Sequence, residues 1–216
     1  DVRLRVVRRP DELGEPDAVI LPGSKNVIGD LADLQGNGMA SRILDLARGG
    51  KTEIVGICGG FQIMGREIAD PFGIESAGGR TLAGLGLLPV RTELAREKTL
   101  TRAAARHLAS DCEIRGYEIH HGRTDGGGLA PLIRREDGES IGGGTETGLL
   151  WGTYLHGIFD ADGFRRWFID RLRKRKGLAP LGRIAAVYDL EPAFERLADV
   201  VRKSLNMDEI YRMMRL

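Results

Sequence analysis

The chain has 216 residues, of which 42% are hydrophobic and 29% are charged, and its formal net charge at pH 7 is +1. This composition is that of a globular protein with one substantial core, and the balanced charge argues against a nucleic-acid partner. Two cysteines cannot form a disulfide framework and no apolar stretch reaches the roughly 18 residues of a membrane span, so a cytoplasmic protein without a membrane partner is predicted.

The first seventy residues alternate short apolar runs with helical patterns. Strands are predicted at VRLRVV (2–7), AVILP (18–22) and EIVGI (53–57), and helices at VIGDLADLQ, ASRILDLARGG and GFQIMGREI. Strands and helices that alternate at this spacing are typical of an α/β domain with a mostly parallel central sheet flanked by helices.

The middle of the chain is richer in strands. They are predicted at GLGLLPVRTE, CEIRGYEIH, LAPLIRR and GLLWGTYLH, separated by the glycine-rich turns TDGGG and IGGGTETG. We expect them to extend the same sheet in an antiparallel or mixed arrangement.

Helical patterns then run to the end of the chain. Helices are predicted at GFRRWFIDRLRKR, along an apolar face from Leu190 to Leu205, and at MDEIYRMM behind an N-cap at Asn206. No convincing linker interrupts the chain, so residues 1–216 are predicted to form a single domain. The sequence begins with Asp1 rather than Met, which suggests a piece of a longer protein.

The stretch EIVGICGGFQIMG indicates a nucleophile. Gly56-x-Cys58-x-Gly60 joins a strand to a helix, and a residue at such a tight turn is held in a strained conformation with its side chain raised. The start of the helix is expected to favour the thiolate of Cys58, and the N–H of Gly59 is placed to hold an oxyanion. The alternative is a small cysteine buried in a packing corner.

A cysteine nucleophile needs a general base, and the chain has four histidines. His156, where the strand WGTYLH stops, is the best candidate, because strand ends carry the chemistry of α/β folds. His120 comes second, although a structural role is the stronger interpretation for both His120 and His121. His107 is expected at the surface.

No metal or nucleotide site is predicted in this chain. Cys112, His120 and His121 lack the spacing of zinc ligands. The glycines at 60 and 65 are spaced as in a phosphate loop but are followed by Arg66 and Glu67 instead of Lys and Ser or Thr.

GICGGFQIMG and YLHGIFD resemble the nucleophile and histidine segments of triad (class I) glutamine amidotransferases. Together with PGSKN, GLGLLP, GYEIHHGRT and the closing YDLEPAFERLADVVRKSLNMDEIYRMM, they resemble the C-terminal glutaminase domain of the cobyric acid synthase family. The resemblance covers nearly the whole chain and implies a flavodoxin-like fold with a nucleophile elbow.

In that family a separate N-terminal synthetase domain binds ATP, Mg²⁺ and the corrinoid, and amidates the b, d, e and g carboxylates of adenosyl-cobyrinic acid a,c-diamide. The resemblance implies that the present chain lacks this domain, needs no cofactor of its own, and supplies ammonia from glutamine to that partner.

The resemblance also assigns roles to residues. Cys58 would attack glutamine, His156 would act as the base, Gly59 and a backbone N–H at Gly23 would hold the oxyanion, and Gln62 would touch the substrate. Glu118 and His120 match a segment of the subgroup and are expected to line the substrate pocket or the synthetase-facing surface.

One position departs from the common triad pattern. Most triad amidotransferases carry a Glu two residues after the histidine, where this chain has Ile158. The group that orients His156 is therefore left open between Asp160, Glu118 and a backbone carbonyl, with helix capping the simpler role for Asp160.

Three other functions remain open at this point. The chain resembles other members of the subgroup, such as the glutaminase subunit of lipid II isoglutaminyl synthase or, less closely, cobyrinate a,c-diamide synthase. An inactive docking module is a second alternative, which the intact Cys58 and His156 pair disfavours. A general cysteine hydrolase of similar fold is a third.

Overall fold

The computed structural model describes residues 1–215, which belong to two compact units: Asp1–Arg183, and a smaller unit that begins at Ile184. The first unit contains five helices: α1 (Pro10–Leu13), α2 (Val27–Gly36), α3 (Met39–Gly49), α4 (Gly59–Met64) and α5 (Asp162–Arg175). Its nine strands are β1 (Ala18–Leu21), β2 (Glu53–Ile57), β3 (Glu67–Asp70), β4 (Arg80–Ala83), β5 (Arg91–His107), β6 (Cys112–Asp125), β7 (Ala130–Arg135), β8 (Ser140–Gly144) and β9 (Leu150–Thr153). The second unit contains α6 (Glu191–Ser204) and α7 (Met207–Met214). The prediction of one domain over residues 1–216 stays a prediction.

The nine strands form one mixed sheet in the order β1-β2-β9-β8-β7-β5-β3-β4, with β6 paired to β5. Strands β1, β2 and β9 are parallel, as are β3 and β5, while β4, β6, β7 and β8 pair antiparallel to their neighbours. The predicted α/β fold, with a parallel centre flanked by helices and an antiparallel extension, is confirmed.

Helices cover both faces of the parallel strands. Ile54 belongs to an apolar cluster with α2, α3 and α4, whereas its neighbour Val55 belongs to a second cluster with α5. Both residues are fully buried. Successive side chains of a strand point to opposite faces, so β2 is buried on both sides and its sequence reads as a continuous apolar run.

Four element predictions differ from the structure, and the strand predicted at GLGLLPVRTE begins only at Arg91 of β5. Residues 2–7 form no strand, because no strand within residues 1–215 pairs with them; Val7 packs against the core, but residues 2–6 are exposed and Leu4 is 83% exposed. The helix predicted over residues 60–68 ends at Met64, and β3 follows at Glu67. Strand β8 was interpreted as a turn because glycine disfavours strands, but a Cβ at Gly144 would lie 2.5 Å from Trp151 Cβ on neighbouring β9.

His107 is buried, which corrects the expectation of a surface position. It ends β5, is 3% exposed, and its ring packs against Phe164 and Trp167 of α5. Its Nδ1 lies 2.8 Å from Ser110 Oγ. Burial, followed by the charge of Arg171, lowers the pKa of His107 to about 4.

The last helix is confirmed together with its cap: Asn206 Oδ1 accepts a hydrogen bond from Glu209 N at 3.2 Å. No helix among residues 1–215 combines the length and the apolar character that crossing a bilayer requires.

Candidate active site

Cys58 occupies the predicted elbow between β2 and α4, with φ 52° and ψ −108°. These angles are strained for a residue with a side chain. The flanking glycines are required for space: a Cβ at Gly56 would lie 2.6 Å from Phe61 N, and one at Gly60 would lie 2.0 Å from Leu21 O. The glycine spacing therefore follows from close backbone packing around the turn.

The thiol of Cys58 lies in a largely dry environment. The residue is 5% exposed, and Sγ lies 3.5 Å from the carbonyl oxygen of Ile119 in β6, as donor to acceptor. Burial raises the pKa of Cys58 to about 11, although the N–H of Gly59 lowers it. The start of α4 thus favours the thiolate, as predicted, but burial has the larger effect and the net pKa is raised.

The structure brings His156 and Gly23 close to Cys58, and within residues 1–215 no hydrogen bond joins the thiol to the His156 ring. A Cβ built on Gly23 would lie 3.0 Å from His156 Cε1 and 3.8 Å from Cys58 Cβ. The PGSKN loop also lies against the first residue of α4, because a Cβ on Gly59 would meet Ser24 N at 2.9 Å. The predicted nucleophile, base and two oxyanion glycines thus share one location.

His156 is held by β6 through its backbone. His156 N donates to Tyr117 O at 2.8 Å, and Tyr117 N donates to His156 O at 3.3 Å. The approach depends on Gly116, where a Cβ would lie 2.0 Å from His156 O. This bridge fixes the segment that carries His156, the predicted base.

The ring of His156 is held by an aromatic contact. It stacks on Tyr117, with 4.9 Å between the ring centroids and 4° between the ring planes. Nε2 is buried and has no hydrogen-bond partner among residues 1–215. Burial, and then the charge of His120, lower the pKa of His156, so a neutral imidazole with a free nitrogen is favoured.

Glu118 binds other groups than His156. Its Oε1 accepts from Arg135 Nη1 at 2.9 Å, and its Oε2 lies 3.6 Å from His120 Nε2. His120 and then Arg135 lower the pKa of Glu118, against the effect of burial. No hydrogen bond joins the Glu118 side chain to His156 within the described residues, whereas the ring of Tyr117 stacks on that of His156.

Asp160 does not hold His156 either. It ends a short 3₁₀ helix, Ile158–Asp160, and no hydrogen bond joins its side chain to His156 within residues 1–215. The simpler prediction for Asp160 is also wrong, because α5 has no side-chain cap at its N-terminus. Ile158, at the position of the usual Glu, is 1% exposed and packs in the core.

Gln62 lies in a buried polar network beneath the elbow. It is 2% exposed, and its Nε2 donates to Tyr154 OH at 3.2 Å. Tyr154 OH also bonds Thr124 Oγ1, which lies 2.7 Å from Thr92 Oγ1. The network fixes α4 against β6 and β9, and contact of Gln62 with substrate stays a prediction.

Sequence reasoning missed two aromatic residues of the site. Tyr117 stacks on His156, and Tyr154 stacks on His120 with 3.8 Å between ring centroids. Both lie in segments that the sequence singled out: Tyr117 is adjacent to Glu118, and Tyr154 is two residues before His156. This closeness to predicted site residues is the signal that could have found them.

Within the described part of the chain, no group of three or more His, Cys, Asp or Glu residues is arranged to hold a metal ion.

Residues 1–164 match the family of CobB/CobQ-like glutamine amidotransferase domains. The chain is 49% identical to a cobyric acid synthase of Nitratidesulfovibrio vulgaris, over the whole chain and 46% of that protein. It is also 49% identical to the adenosylcobalamin biosynthesis bifunctional protein CobDQ of Leptospira interrogans, over 98% of the chain and 25% of that protein. The chain therefore spans less than half the length of these relatives.

A solved structure supports the fold. The crystal structure of a glutamine amidotransferase superposes with a TM-score of 0.59 at 16% identity, covering 82% of this chain and 88% of the other.

Proposed function

The chain belongs to the CobB/CobQ-like glutamine amidotransferase domain family, and from this membership we propose that it hydrolyses glutamine through a Cys58 thioester. The observation that carries the proposal is the strained Cys58 beside His156 and Gly23. The relatives' names support a role in cobalamin biosynthesis.

The first half-reaction forms the thioester. His156 Nε2 takes the thiol proton as Cys58 Sγ attacks the carboxamide carbon of glutamine. The carbonyl oxygen becomes an oxyanion, which the N–H groups of Gly59 and Gly23 stabilise. When the C–N bond breaks, His156 returns the proton to the nitrogen, and ammonia leaves.

The second half-reaction restores the enzyme. Water attacks the γ-glutamyl thioester while His156 takes one of its protons. The carbon–sulfur bond breaks, Cys58 recovers its proton, and glutamate leaves. The net reaction converts glutamine and water into glutamate and ammonia.

The electrostatics favour a thiol that is activated only when substrate is bound. Burial raises the pKa of Cys58 to about 11 and lowers that of His156, so both groups are neutral at rest. Proton transfer to His156 then accompanies the attack, when the oxyanion and the imidazolium form together and stabilise each other. A neutral resting pair limits reaction of the thiol without glutamine.

The ammonia is proposed to serve a synthetase partner. Cobyric acid synthase relatives are more than twice as long as the match, and the additional part is the proposed site of ATP, Mg²⁺ and corrinoid. We assign to that part the amidation of the b, d, e and g carboxylates of adenosyl-cobyrinic acid a,c-diamide. The present chain then needs no cofactor of its own.

The test compares two sources of ammonia. With the synthetase partner, ATP and the diamide, Cys58→Ala and His156→Ala are expected to abolish glutamine-dependent amidation but to leave amidation by ammonium salts intact. Loss of both activities would contradict the division of labour. A glutamine-like diazo ketone is expected to label Cys58, and absence of labelling with the partner present would favour a docking module.

A further inference from the structure

The two helices of the second unit carry exposed apolar residues on one face. In α6, Phe194 is 56% exposed and Leu197 is 59% exposed, and they share one face with Val201. In α7, Tyr211 and Met214 are about half exposed or more. Neither helix contains a buried residue.

Helices of this kind are not stable by themselves in water. Helix α6 has 14 residues and α7 has 8, and isolated helices below about 12–15 residues are marginal without a packed apolar face. Contiguous exposed apolar surface marks an interaction site, and an amphipathic helix typically lies in an apolar groove. The opposite face of α6 is charged, with Arg196, Asp199 and Lys203, as expected for a helix covered on one side.

The part of the chain that is shared with complete synthases indicates what covers this face. The amidotransferase family match ends at residue 164. Cobyric acid synthase relatives, in contrast, match the chain over its whole length, through α6 and α7, and the chain accounts for 46% or less of each. The second unit is therefore shared with complete synthases, although it lies outside the amidotransferase match.

We propose that the apolar face of α6 and α7 docks into an apolar groove of the synthetase part of the synthase. This inference rests on the proposed function, since it assumes that the chain works with that part. Docking would bury Phe194, Leu197 and Val201 and would hold the glutaminase next to the synthetase part that uses the ammonia. The proposed occupant is the synthetase part, and coverage by the chain itself or by a second copy is an outcome that the test distinguishes.

Hydrogen exchange tests the proposal directly. Amides of α6 and α7 are expected to exchange rapidly in the chain alone and to become at least tenfold slower in the complete synthase that contains it. Equal protection in both samples would overturn the proposal. Sedimentation would then show whether the chain itself, as a monomer, or a second copy covers the face.

Variants separate the surface from the active site. Phe194→Asp and Leu197→Asp are expected to reduce glutamine-dependent amidation at least tenfold, while ammonium-dependent amidation and diazo-ketone labelling of Cys58 stay unchanged. Arg196→Asp, on the charged face of α6, is the matched control and is expected to have no effect. Unchanged glutamine-dependent amidation in the Phe194 and Leu197 variants would overturn the docking surface alone. Absence of Cys58 labelling in the unsubstituted protein would instead overturn the proposed function.

Discussion

Tyr117 and His156 are joined twice, through a backbone bridge and through parallel rings 4.9 Å apart. The position where triad enzymes carry a Glu holds buried Ile158 instead. The orientation of the base thus depends on a neighbouring strand. A stacked ring fixes the plane of the imidazole without adding negative charge, which is consistent with the lowered pKa of His156.

Tyr117→Ala is expected to lower kcat for glutamine hydrolysis about tenfold or more, because a general base contributes about 10²–10⁴-fold and depends on its geometry. Tyr117→Phe keeps the ring and should retain most activity. Steady-state kinetics of both variants, with ammonium-dependent amidation as the control, checks this. Equal losses in both variants would point to the hydroxyl instead of the ring.

Alkylation of Cys58 by iodoacetamide without glutamine is expected to accelerate with pH up to about pH 11, because burial raises the pKa of the thiol to that value. The thiolate is the reactive form, so below the pKa its rate rises about tenfold per pH unit. Rates measured from pH 6 to 11, with Cys58→Ala to subtract Cys112, check this. An alkylation rate that stops rising near neutral pH would instead show that Cys58 is a thiolate paired with a protonated His156 before glutamine binds.

Arg135→Met is expected to lower the free energy of unfolding by about 3–5 kcal/mol, because it removes the arginine that pairs with the buried Glu118 carboxylate. The matched control is Arg48→Met, which breaks an exposed pair with Asp45 and should cost less than about 1 kcal/mol. Urea unfolding of the two variants measures the difference. Similar costs would mean that water reaches Glu118.

Gly60→Ala is expected to destabilise the protein by about 1–3 kcal/mol or more, since its Cβ would lie 2.0 Å from Leu21 O. Gly36→Ala, at the end of α2 with open space around it, should be neutral or stabilise by up to about 1 kcal/mol. Thermal unfolding compares the pair. A harmless Gly60→Ala would contradict the tight elbow.

His107 should make stability fall on acidification. Its folded pKa of about 4 lies below the unfolded value of 6.5, so its contribution is complete above pH 6.5 and is lost as the pH falls to 4. The loss corresponds to about 3 kcal/mol. Urea unfolding at pH 7 and pH 4.5 should show a smaller decrease for His107→Phe than for the unsubstituted protein, and equal decreases would refute it.

The elbow was predictable because its cause is local. Gly56 and Gly60 flank Cys58 within five residues, and the same backbone turn that strains the cysteine excludes their side chains. Strand β2 was predictable for a similar reason, since its continuous apolar run records burial on both faces, whereas β1 lies at the edge of the sheet and leaves Ile20 exposed.

The support of the base was not predictable, because it depends on register between distant strands. Tyr117 and His156 are far apart in sequence, and only the pairing of β6 with the segment after β9 brings them together. The raised pKa of Cys58 likewise results from burial by surrounding residues that are distant in sequence, and a local motif does not show this burial. Strand β8 was missed because glycine is unusual in strands, and its Gly144 is needed to leave room for Trp151 on the neighbouring strand.

Strand β6 gives the site the Ile119 carbonyl beside the thiol, and the same strand carries the ring beside the base. A slip of one residue in its register would turn both away together. Catalysis therefore requires both the register of the β5–β6 hairpin and the bridge between Tyr117 and His156. Turnover by a sample that refolds after dilution from denaturant would report when both have formed.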